Sequence, residues 1–141
     1  MNTQEQTDAQ HLKLLSIFHY VLAGFYLLGV GFLILHYFMM NAIMTMAEDA
    51  PVEPGSPPPP DMEEFMAIFV WFYVFMGLAC LLLLVGNILA GNALRARRSR
   101  TLVLIVAGVN CLNMPLGTVL GIFTFIVLLR QSVAELFRPK T

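Results

Sequence analysis

Four apolar runs separated by polar segments make up the chain: Leu12 to Met46, Phe65 to Leu94, Thr101 to Asn113, and Leu116 to Arg130. A helix needs about 20 predominantly apolar residues to cross the hydrocarbon core of a bilayer. The first two runs exceed that length and predict long helices that tilt or stand proud of the surface. The last two are short, since about 13 helical residues reach only about 20 Å. The pattern predicts an all-α integral membrane protein with four transmembrane helices, two long and two short.

The break between the short runs is a turn, Asn113-Met114-Pro115, whose proline can start a helix but cannot continue one. Just beyond it, Gly117 and Gly121 form a G-x-x-x-G pair, a spacing that leaves a flat strip where a second helix can approach closely. Gly24 and Gly31, seven apart in the first run, predict another packing seam. Gly86, Ala90 and Gly91 supply small residues in the second run. Asn87 and Asn92 are placed to hydrogen-bond across helices.

The polar segments set the expected topology. Residues 1–11 read as a polar tail in water. Residues 47–64 (AEDAPVEPGSPPPPDMEE) form an outer loop with six of the nine acids and no Lys or Arg. Within it, Pro57–Pro60 predicts an extended polyproline II spacer, and Asp61 an N-cap for the next helix. Residues 95–100 carry Arg95, Arg97, Arg98 and Arg100, and residues 131–141 form a basic tail. In that tail Val133, Leu136 and Phe137 predict an amphipathic turn lying on the membrane surface. With four crossings, the N-terminal tail, the arginine loop and the C-terminal tail share one side, and all eight basic residues fall on it. That side is the cytoplasm by the positive-inside rule. A single tilted span over 101–129 would place Arg130, Arg138 and Lys140 outside and bury Pro115 mid-helix. A re-entrant hairpin made of the two short runs fits the charges as well as two full crossings do.

Composition narrows the class further. Of the 141 residues, 58% are hydrophobic and 12% charged, against about 45–50% and about 25% in soluble domains. A soluble core of this size could not cover so much apolar surface. Cys80 and Cys111 lie in apolar runs without C-x-x-C spacing and read as buried thiols rather than a disulfide or zinc framework. No basic region precedes the first apolar run, so no signal peptide is expected. The four loop arginines read as a topology signal that touches anionic lipid, with no nucleic acid as partner.

The candidate chemistry is sparse. His11, His19 and His36 all fall in the first run, so a haem held between two helices of one chain has no second histidine. His19 is expected to hydrogen-bond to another helix, with His11 and His36 at the interfaces. His36, Met40 and Met44 share a stripe, and Met66 returns near the same level. Thioether and imidazole groups suit Cu(I), but methionine is also a routine apolar filler. The acids all fall in tails or the loop, whereas proton relays and transporters use ionisable groups inside the membrane. No catalytic residues, nucleotide fingerprint or cofactor site are expected.

The opening HLKLLSIFHYVLAG (His11–Gly24), the basic loop, and MPLGTVLGIFTFIVLLR (Met114–Arg130) resemble an uncharacterised family of small bacterial four-helix membrane proteins. The resemblance implies a bacterial protein with four crossings, while the charge asymmetry is what predicts an inner-membrane protein with both termini cytoplasmic. The resemblance supplies no activity and no catalytic residues. The expected function is non-enzymatic, an accessory or interaction protein in a larger membrane complex or a homo-oligomeric scaffold. The alternative is a pore-forming or Cu(I)-handling transport protein.

Overall fold

The computed structural model describes residues 3–48, 55 and 62–137. The polyproline segment, the Asp61 cap, most of the acidic loop, and Arg138 and Lys140 lie outside the described residues. Within them the chain is helical and contains no strand. Its five helices are α1 (Thr3–Glu48), α2 (Met62–Ala96), α3 (Arg100–Asn110), α4 (Leu116–Leu128) and α5 (Gln131–Leu136). Two of these, α1 and α2, are long and apolar enough to cross a membrane; α3 and α4 are shorter apolar helices.

Helix α1 begins at Thr3, so the residues expected to be a polar tail are its first turns. Gln, Glu and Ala favour helix, and the Thr7 hydroxyl donates to Thr3 O at 3.0 Å. Packing also holds them, since Asp8 is only 2% exposed. The buried residues Asp8, Leu12, Leu15, His19, Leu22 and Tyr26 follow alternating spacings of four and three, the stripe a helix turns toward a neighbour.

The chain divides into two compact units, through both of which α1 and α2 run. The first comprises Met1–Tyr26 and Leu82–Thr141 and contains the core. Leu12, Leu15 and Leu22 of α1 join Ala90 and Leu94 of α2, Val103 of α3, and Leu120 and Leu128 of α4. Val133 of α5 is fully buried in this cluster, with Leu136 and Phe137 packed against it. The tail expected on the membrane surface therefore docks on the chain's own core, because α5 turns its apolar side inward.

The second unit, Leu27–Leu81, is built differently. Among its described side chains none is fully buried, and large apolar groups such as Trp71 (76% exposed), Phe75 and Leu28 face outward. Its internal order comes from rings. Tyr37 meets Tyr73 edge to face with centroids 5.5 Å apart, and His36 lies beside Phe32 and Tyr73.

The turn between α2 and α3 is tight. Arg97 and Ser99 both adopt positive φ, at 51° and 55°, a region that non-glycine residues seldom occupy. Arg100, half-buried, turns away from the lipid role assigned to all four arginines. Its Nε and Nη2 both donate to Leu128 O, at 3.0 and 2.5 Å. A cation there closes the last turn of α4 and opposes the negative end of its dipole. Arg95, Arg97 and Arg98 remain exposed. Arg100→Gln is expected to lower stability by about 1 kcal/mol while Arg98→Gln leaves it unchanged, as read by thermal unfolding in detergent.

Candidate functional site

The first unit holds a polar hub inside its apolar core. Asn87 Nδ2 donates to Leu83 O at 2.8 Å and to Asn110 Oδ1 at 3.1 Å, and Asn110 Nδ2 returns a bond to Asn87 Oδ1 at 2.8 Å. These bonds orient both amides. With Asn87 Oδ1 accepting, His19 Nδ1, 2.8 Å away, donates to it, and a neutral imidazole then presents Nε2 as an acceptor. The Thr124 hydroxyl lies 3.3 Å from Nε2 and 2.7 Å from Leu120 O, so one O–H serves two acceptors. His19, Asn87, Asn110 and Thr124 are all fully buried, one from each of α1 to α4. Each finds partners, as groups removed from water must.

Further polar contacts fasten the same helices. Ser16 Oγ donates to Gly91 O at 2.9 Å, and Tyr20 Oη to Asn92 Oδ1 at 2.7 Å. Gly91 allows this approach, since a Cβ there would lie 2.8 Å from the Tyr20 ring. Both asparagines of α2 thus reach α1. Asn113 Nδ2 donates to Tyr26 Oη at 2.7 Å, tying the α3–α4 turn to the middle of α1.

The glycines divide. A Cβ on Gly117 would sit 2.5 Å from Asn110 O, and one on Gly121 would sit 2.5 Å from both Ala107 O and Cys111 Sγ. This pair brings α4 against the backbone of α3. A Cβ on Gly24 or Gly31 would meet nothing within 4 Å, so the seam expected there has no partner within the chain. Cys80 and Cys111 are free thiols.

No family model, curated protein or solved structure matches this chain. His36 of the methionine stripe pairs its Nδ1 with Tyr73 Oη at 2.5 Å, while Met40, Met44 and Met66 are half-buried. Among the described residues, no three His, Cys, Asp or Glu side chains gather as a metal site.

Hydropathy alone missed a second feature, a groove of about 640 Å³ between α1 and α4. Its walls are apolar, with Phe18, Phe25, Val119 and Phe123 among them, and His11 and Arg130 also line it. Arg130 Nη1 lies 3.9 Å from Asp8 Oδ1. Asp8 belongs to the helix, not to a tail. Its Oδ2 and His11 Nδ1 are buried without a hydrogen-bond partner among the described residues. The clue in the sequence is the four-residue step from Asp8 to Leu12, which continues the buried stripe of α1 past the hydropathy boundary.

Proposed function

We propose that the chain is a non-enzymatic, multi-pass protein of the bacterial cytoplasmic membrane that works as an accessory subunit or small homo-oligomeric scaffold. The carrying observation is the second unit, a pair of long apolar helical segments with no fully buried side chain among those described. Apolar surface on that scale is stable only against lipid or a partner. In the first unit the polar groups are largely spent on one another. Pull-down from native membrane in mild detergent tests the reading. A stoichiometric larger partner is expected; a ring of identical copies would favour the pore-forming alternative instead, and a monomer in detergent with no companion in native membrane refutes the reading.

Within this reading α3 and α4 form a re-entrant hairpin. At 11 and 13 residues they reach about 16 and about 20 Å, short of the roughly 30 Å hydrocarbon core. The turn side chains support the same placement. Leu112 is 85% exposed and Met114 82%, followed by exposed Pro115 and Leu116, an apolar tip suited to hydrocarbon. Asn110 and Asn113 point back to Asn87 and Tyr26, and the Thr118 hydroxyl satisfies Cys111 O at 2.9 Å. Irregular backbone at membrane depth requires such internal satisfaction. In a chain with Cys80 and Cys111 replaced by alanine, a cysteine at Ser56 is expected to react from outside intact cells and one at Ser99 only from the cytoplasm. A cysteine at Met114 is expected to react from neither side. Rapid labelling of Met114→Cys from outside would mean two full crossings instead.

A further inference from the structure

We propose that the groove between α1 and α4 is a binding site for one glycerophospholipid, its phosphodiester on Arg130 and an acyl chain along Phe18, Phe25, Val119 and Phe123. The proposal rests on the membrane placement above and goes beyond it by naming a ligand.

Donor geometry rather than net charge favours a phosphate at this end, because the Asp8 carboxylate 3.9 Å away already compensates the guanidinium. Arg130, which lines the groove, is 48% exposed, whereas Asp8 beside it is almost wholly buried. Their separation of 3.9 Å is too long for a hydrogen bond. Asp8 therefore holds the guanidinium in place without spending its N–H donors. A planar fork of free donors at the edge of an apolar surface is matched by a phosphate, which it grips in bidentate fashion.

The dimensions point to a lipid drawn from one leaflet. The groove runs along α1 from His11 to Phe25 and along α4 between its flanking residues Arg130 and Pro115, about 20 Å of helix in each case. Arg130 stands at the end where the basic residues gather, and Pro115 belongs to the apolar turn. A groove anchored at headgroup depth and ending near mid-bilayer has the reach of one acyl chain. Its volume falls within the 300–1,000 Å³ typical of built ligand sites. The aromatic walls supply a large contact area with little side-chain entropy to lose.

The test is phospholipid retention. Protein purified in mild detergent is washed, and lipid phosphorus is measured per chain and the lipids identified by mass. A stoichiometric phospholipid is expected in the wild type and in Arg95→Gln. Arg130→Gln is expected to lower retention about tenfold, the loss of one charge-assisted contact. Because that change also strips Asp8 of its cation, Asp8→Asn combined with Arg130→Gln is measured beside it. Val119→Trp, at an exposed wall position, fills the groove without touching the charges and is expected to lower retention as much. Equal retention in Arg130→Gln and Arg95→Gln would overturn the proposal. So would a bound fatty acid or quinone lacking phosphate, or a second copy in the groove with no lipid. An alkaline wash separates the two readings: a chain released from the membrane refutes the placement, and one that stays but holds no phospholipid refutes the site alone.

Discussion

Gly121→Leu is expected to abolish the native packing of α3 against α4, giving little folded protein and a broad, low-temperature unfolding transition in detergent. Ordinary overpacking costs about 1–3 kcal/mol because neighbouring side chains can shift. At Gly121 the obstacle is backbone. The first added carbon would lie 2.5 Å from Ala107 O, and Cys111 Sγ blocks it at the same distance. A carbonyl inside a helix cannot move without breaking that helix, so the hairpin must separate. Separation would strain the bonds of Asn110 to Asn87 and of Asn113 to Tyr26 and leave buried polar groups without partners. Gly24→Leu, by contrast, enters open space within the chain and is expected to leave the monomer's unfolding unchanged. Equal behaviour of the two variants would show that the close α3–α4 approach does not hold the fold.

Hydropathy located the two long helices and the turn between the short ones, because those features depend on which residues are apolar and where proline falls. It could not set how each helix is rotated about its axis. Gly24–Gly31 and Gly117–Gly121 both present small residues on one helix face, yet only the second pair meets a neighbouring backbone. The difference lies in where α3 runs, which no local spacing encodes. Arg100 shows the same limit: four arginines in six positions look alike as charge, but only Arg100 is within reach of the open carbonyl at the end of α4. Asp8 was misplaced for another reason. A window average ends a helix where polarity begins, whereas α1 continues for as long as its buried stripe finds partners. The histidine hub was half legible. A histidine and an asparagine in otherwise apolar runs demand partners, but the joining of His19, Asn87, Asn110 and Thr124 depends on four helices meeting at one level.

Asn87→Ala is expected to destabilise the protein by about 2 kcal/mol, since Asn87 takes part in four hydrogen bonds, three of them between helices, and its loss leaves buried partners unsatisfied. Part of that loss comes from what the substitution leaves behind. His19 Nδ1 would face no acceptor, and the Asn110 amide would lose both its donor and its acceptor partner, in a site closed to solvent. Asn110→Ala alone is expected to cost less, because Asn87 then keeps Leu83 O and His19. The decisive comparison is the double variant. With Asn87 already removed, the Asn110 amide is a buried liability, so taking it away as well is expected to cost a few tenths of a kcal/mol or even recover stability. The single and double variants are compared by reversible unfolding in mixed detergent at one protein concentration. Strict additivity would mean that the two amides act independently and that the hub is only a set of local contacts. A double variant markedly less destabilised than the sum of the singles would establish that Asn87 and Asn110 act as one coupled pair joining α2 to α3.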